Sequence, residues 1–205
     1  MNNLNENGAA LICIPDISGF TKFMAETDIE FSRKIIPPLL RTIVSSNIIK
    51  MEVGEIEGDA VVFYRFGALP TMRELMDQCT EFYTKFKEQL QKLEGDFSEE
   101  FKENHTSTNM TLKIICHAAE ITSTHIEGIT KLIGEDMVVV HKLLKNSVQE
   151  VEYILLTEKL IACYTAEAIE NALNGEQLIP GSDEYEHIGK IDYKYLKINH
   201  DKVPG

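Results

Sequence analysis

The 205-residue chain predicts an α+β sandwich, a sheet with helices packed on it, in the order β-α-β-β-α-β with further β/α elements appended at the C-terminal end. Three observations carry this. Apolar runs of strand length recur at 9–15, 51–57, 60–66 and 151–157, and turn residues bound them. Between them lie longer segments with apolar residues at helical spacing. The order in which the two kinds alternate is that of the ferredoxin-like core.

Residues 9–15 read as a short buried strand. Residues 17–50 read as mainly helical, with Phe20, Phe23, Met24, Ile35, Ile36, Leu39, Leu40, Ile43 and Val44 as apolar faces. Pro37 and Pro38 predict a break, or a helix start, inside that span. The strands at 51–57 and 60–66 join tightly around Gly58-Asp59, a hairpin signal. Pro70-Thr71 opens a long helix whose stripe from Met72 to Leu93 reads as core. Residues 95–108 are polar and predict a surface loop. "MTLKIICHAAEITSTHIEG" at 110–128 predicts two antiparallel strands. A helix near 135–146, the strand "VEYILLT", a short helix and a last strand or two in "YEHIGKIDYKYLKI" complete the chain. No repeat, low-complexity tract or linker interrupts it, so a single domain over 1–205 is expected.

Apolar residues make up 43% and charged residues 26%, ordinary for a soluble globular protein. The net charge of −13 argues against non-specific binding to nucleic acid or anionic membranes. A nucleotide remains compatible, since metal ions bridge like charges. No apolar run reaches membrane-spanning length, and the start "MNNLNENG" is unlike a signal peptide. A cytoplasmic protein is expected. Cys13, Cys79, Cys116 and Cys163 form no CxxC pair and read as reduced core thiols. His125, His141 and His187 show no metal-ligand spacing, and His117 reads as a core or strand-end histidine.

Asp16 and Asp59 carry the chemistry. In this topology the first strand is central and the hairpin pairs beside it, so a carboxylate ending that strand can approach one on the turn. Two close carboxylates repel unless a cation lies between them. Mg²⁺ suits such a site, because it takes oxygen ligands and keeps positions open for phosphate. Ser18, Gly19, Phe20 and Thr21 open a helix, whose N–H groups attract anions. Each aspartate also has a plain structural explanation: Asp16 as a helix N-cap, Asp59 as a turn residue.

"CIPDISGFTKFM" resembles the FxDIxGFT opening of class III adenylate/guanylate cyclase catalytic domains. "GEIEGDAVVFYRF" is similar to that family's KTIGDAVMAVF hairpin, and "LKIICHAAEI" to its RIGIHTGEV strand. "IGEDMVVVHKLLKNS" is similar to its WGNTVNVAARLES helix, and "YEHIGKIDYKYLKI" to its closing segment. The matches keep the family's order over about 9–197, and point to a divergent, uncharacterised bacterial subgroup of this nucleotide cyclase superfamily.

The resemblance implies that Asp16 and Asp59 hold Mg²⁺ or Mn²⁺, with a backbone carbonyl at Ile17. It implies that Ser18, Gly19, Phe20 and Thr21 hold phosphate of a nucleoside triphosphate, and that the chain forms a homodimer or heterodimer. The sequence then departs from the family. Val138 stands at the transition-state asparagine and cannot hydrogen-bond to ribose. Lys142 stands at the transition-state arginine and lacks its bidentate fork. Losing one such donor typically costs roughly 3–4 kcal/mol. Glu55 and Lys131 fall at the base-recognition positions like a charge-swapped pair, expected to attract across a head-to-tail dimer or else to be solvated surface charges. The resemblance therefore implies a cyclase-homology domain that binds nucleotide and catalyses weakly or not at all. The alternatives are an active cyclase with unusual catalytic residues, and a non-enzymatic dimerisation module.

Overall fold

A computed structural model describes residues 6–103 and 110–198. The strands are β1 (Asn7–Ser18), β2 (Glu52–Glu57), β3 (Ala60–Phe66), β4 (Thr111–Ile126), β5 (Ile129–Ile133), β6 (Tyr153–Thr157), β7 (Ile179–Tyr185) and β8 (Gly189–Lys197). The helices are α1 (Phe20–Glu26), α2 (Ile29–Ser45), α3 (Met72–Asp96), α4 (Ser98–Glu103), α5 (Glu135–Leu143), α6 (Glu158–Ile161) and α7 (Ala166–Leu173). The strands form one eight-stranded sheet in the order β2-β3-β1-β4-β6-β8-β7, with β5 paired to the far end of β4. Its first four positions are those of a ferredoxin-like core.

β1 is covered on both faces, so it reads as a continuous apolar run rather than an alternating one. Leu11, Cys13 and Ile17 face α2 and α3, among Ile35, Leu39, Leu75, Phe82 and Phe86. Ala10, Ile12 and Ile14 face α5, among Val139, Val140, Leu155 and Tyr193. α3 starts where the sequence places it: Thr71 accepts from the Glu74 N–H, and the Glu74 carboxylate accepts from the Thr71 N–H, 2.8 Å.

Three elements differ from the sequence expectation. Pro37 and Pro38 lie inside α2 without ending it. Each removes a helical N–H, at about 3 kcal/mol. The helix nonetheless buries Phe31, Ile35, Ile36, Leu39 and Ile43 on both sides of the pair, and each such side chain contributes about 1.5–3 kcal/mol. The chain breaks earlier, where Asp28 caps α2 by accepting the Phe31 N–H at 2.8 Å. The strands expected within 110–128 are a single long strand, β4; its hairpin partner β5 comes after Glu127-Gly128. The expected loop at 95–108 begins as helix, with Phe101 of α4 buried edge-on against Phe31 at 4.8 Å; residues 104–109 lie outside the described residues.

Candidate functional site

The alternation along β1 turns Asp16 to the α5 face, after Ile12 and Ile14, where it is 7% exposed. Its register partners are Ala60 of β3 and Lys113 of β4. The Ile17 N–H donates to the Asp59 carbonyl at 3.1 Å, tying the β2–β3 turn to the end of β1. The two carboxyl groups thereby come close enough for the charge of Asp16 to act on Asp59. Burial, and then the charge of Asp16, hold the Asp59 carboxyl above its usual range; its own backbone and Lys113 oppose this. Lys113 Nζ lies 2.9 Å from Asp16 Oδ2 and donates to the Leu144 carbonyl at 2.7 Å, just past the end of α5.

Gly19, not Asp16, caps α1, with φ +84°, and no side chain closes that helix start. This removes the capping explanation for Asp16. Phe20 and Thr21 form the first positions of α1, directly after Ser18 and Gly19. Val138 and Lys142, one helical turn apart, are both exposed on α5, Val138 at 49%.

Glu55 and Lys131 do meet, but within one chain. Lys131 Nζ reaches Glu55 Oε2 at 3.0 Å because β2 and β5 lie close together. His141 also engages Glu55, Nε2 to Oε1 at 3.3 Å, and Glu57, Nδ1 to Oε2 at 3.4 Å.

Sequence reasoning missed Lys113, although a lysine inside a buried strand signals a partner. It also missed the setting of His117, which is 3% exposed. Its Nδ1 lies 2.8 Å from Thr157 Oγ1 and its Nε2 2.9 Å from Asp136 Oδ1. The Asp136 carboxylate can only accept, so the neutral ring carries its proton on Nε2, and the Thr157 hydroxyl, which accepts the Leu160 N–H, donates to Nδ1. Asp136 further accepts from the Glu120 N–H at 2.6 Å and pairs with Lys159 at 2.7 Å. Burial pushes the His117 imidazole down, against the raising effect of Asp136. Burial would raise Asp136, but the bonds from Glu120, Lys159 and His117 together hold it below its usual value. Cys13, Cys79 and Cys116 are buried free thiols; Cys163 is exposed, against the core reading, because it follows the short α6 into a turn.

The donor set at Asp16 and Asp59 fits a hard divalent cation. It offers carboxylate oxygens only, and one fixed ammonium against two carboxylates leaves negative charge to neutralise. Among the described residues, no helix is long and apolar enough to cross a membrane.

This sheet order, with a carboxylate pair where β1 meets the β2–β3 turn, has the fold of class III adenylyl and guanylyl cyclase catalytic domains. The guanylyl cyclase Cya2 superposes with a TM-score of 0.67 at 14% identity, covering 96% of this chain and 98% of that one. The adenylyl cyclase CyaB from P. aeruginosa superposes with a TM-score of 0.65 at 10% identity, covering 98% and 100%. Within that fold the chain belongs to the family described as "Protein of unknown function (DUF2652)", whose model matches residues 36–153. An uncharacterized protein of Mycobacterium tuberculosis, Rv2561/Rv2562, is 23% identical over 154 residues, 75% of this chain and 69% of that protein.

Proposed function

We propose that this chain is a divergent nucleotide cyclase-homology domain that binds a divalent cation and a nucleoside triphosphate and cyclises the nucleotide weakly or not at all. The observation that carries the reading is the convergence of Asp16 and Asp59, with Asp59 shifted toward protonation partly by its neighbour's charge. A buried carboxyl and a half-buried one that repel each other form a pair whose charge a divalent cation would neutralise.

In this reading Asp16 and Asp59 hold Mg²⁺ or Mn²⁺, and the Ile17 carbonyl adds an oxygen. A cation bound there supplies neutralisation of triphosphate charge and polarisation of phosphate oxygen. Ser18, Gly19, Phe20 and Thr21 lie beside it, where Gly19 lets phosphate approach the main chain. Lys113 holds the Asp16 side chain in place. Val138 donates no hydrogen bond, and Lys142 offers a point charge where a planar fork would orient a phosphate. Both departures weaken turnover more than binding. Glu55 and Lys131, at the base-recognition positions, attract each other and would close the base pocket.

Association with a second cyclase-type chain completes the proposal. Val53, Ile56, Ile126, Ile129, Ile133 and Val138 are exposed on β2, the β4–β5 hairpin and α5, and exposed apolar residues gathered on adjoining elements mark contact surfaces. The chain acts as one unit and works in the cytoplasm. The test is a cyclic-nucleotide assay on purified protein with ATP and GTP, in Mg²⁺ and in Mn²⁺. Product far below that of an active cyclase, beside measurable nucleotide binding, supports the reading. Turnover at ordinary enzyme rates, about 1 s⁻¹ or more, would replace it with an active cyclase.

A further inference from the structure

Side chains of β2 and α5 form a second cluster of metal-ligating groups. Glu55 and Glu57 stand two residues apart on β2 and project from the same side of the strand. His141 reaches them from α5. One ligand atom from each of the three falls within 4.8 Å of the others. The pairwise distances are 3.3 Å for Glu55 Oε1 to Nε2 and 3.4 Å for Glu57 Oε2 to Nδ1. Donors about 2.1 Å from a tetrahedral ion stand about 3.4 Å apart.

The surroundings orient the set. Lys131 takes the other oxygen of Glu55, Oε2, at 3.0 Å, which leaves Oε1 turned to His141. A ligating carboxylate held through its second oxygen is the usual outer-shell arrangement. Glu55 and His141 are partly buried, with side chains 21% and 30% exposed, while Glu57 at 52% keeps the freedom to rotate. That freedom matters, because the two carboxylates face different ring nitrogens, and one ion uses a single nitrogen.

We propose that Glu55, Glu57 and His141 form a binding site for one divalent transition-metal ion of the Zn²⁺ class, with Lys131 as a positioning residue for Glu55. Imidazole with carboxylates suits Zn²⁺ or Co²⁺, whereas Mg²⁺ prefers an all-oxygen site such as the Asp16–Asp59 pair. The bound ion would fasten the β2–β3 hairpin, which carries Asp59, to α5, which carries Val138 and Lys142. The inference stands apart from the nucleotide reading and survives its failure.

The test is calorimetric titration of the tag-free full chain with Zn²⁺, in excess Mg²⁺ to occupy the aspartate pair. We expect one equivalent to bind to the wild type and to Asp16→Asn/Asp59→Asn. His141→Gln and Glu57→Gln should each lose at least the roughly 10–100-fold in affinity that removal of an outer-shell partner costs. Full affinity in His141→Gln overturns the proposal, as does a wild type that takes up no Zn²⁺. Binding lost only in the aspartate variant assigns the ion to the other site and also overturns it. Should a variant fail to fold, the ring ¹⁵N resonances of His141 in the wild type decide. A shift on adding Zn²⁺ supports the site, and unchanged resonances refute it.

Discussion

Lys113 and Asp16 face each other across the β1–β4 ladder, with the ammonium 2.9 Å from the carboxylate and braced on the Leu144 carbonyl. The pair gives the end of β1 a fixed positive charge on one side only. Asp59, on the other side, stays in the field of Asp16. This asymmetry makes the site stable enough to fold and still short of positive charge.

Lys113→Met removes that charge and leaves two repelling carboxylates. Breaking a buried pair costs about 3–5 kcal/mol; partial exposure here places the loss at about 3 kcal/mol or less. We expect a lower melting temperature in EDTA, and a larger rise on adding Mg²⁺ than the wild type shows. Equal Mg²⁺ responses in the two proteins would separate Lys113 from the cation site.

Asp59→Asn has the opposite sign in metal-free buffer. It removes a charge that burial and Asp16 both disfavour, while the Ile17 N–H keeps the Asp59 carbonyl as its acceptor. The variant should melt no lower than the wild type in EDTA and show no rise with Mg²⁺. A marked drop in EDTA would mean that the side chain serves the turn rather than a cation.

The His117 network sets an acid limit on stability. His117 has a folded pKa below its unfolded value of about 6.5, so the unfolded chain protonates first as the pH falls. Asp136 is likewise depressed below its ordinary 3.8. Both contributions are complete above the unfolded values and are lost as pH falls through the folded ones. Urea midpoints should therefore decline from about pH 6.5 downward, with a second decline below about pH 4. His117→Gln should flatten the first decline and keep the second. An unchanged profile in that variant would contradict the assignment.

Gly134 precedes α5 with φ +156°, and a Cβ there would stand 2.8 Å from the Glu120 carbonyl oxygen, a backbone atom. Gly134→Ala should cost about 1–3 kcal/mol by strain alone, measurable by chemical denaturation. A neutral effect would show that the α5 entry shifts freely.

Val138→Asn with Lys142→Arg should raise cyclic-nucleotide production. Each change restores one donor of a kind worth roughly 10²–10³ in rate. No gain from the double variant, in a protein that binds nucleotide, would place the catalytic deficit elsewhere.

The positions of Asp16 and Asp59 were legible in the sequence because both are set locally, one by the end of an apolar run and one by a tight Gly-Asp turn. The long stripe of α3 was legible for the same reason, with its start at Pro70-Thr71. Lys113, Asp136 and the Glu57–His141 pair were not. Their roles depend on the β1–β4 register and on where α5 lands, contacts between residues 84 apart for Glu57–His141 and 97 apart for Asp16–Lys113. Pro37 and Pro38 misled because a local rule was overruled by burial on both sides of them. The pairing of Glu55 with Lys131 inside one chain was not legible, because it depends on β5 folding back beside β2.

Calorimetric titration of the protein with a nucleoside triphosphate and Mn²⁺, beside Asp16→Asn/Asp59→Asn, decides whether the two aspartates hold a cation and its nucleotide. Saturable, metal-dependent binding is expected, lost in the double variant while that variant keeps its fold. Equal heats from the two proteins, or no binding by the wild type, would contradict it and leave the aspartates as parts of a contact module.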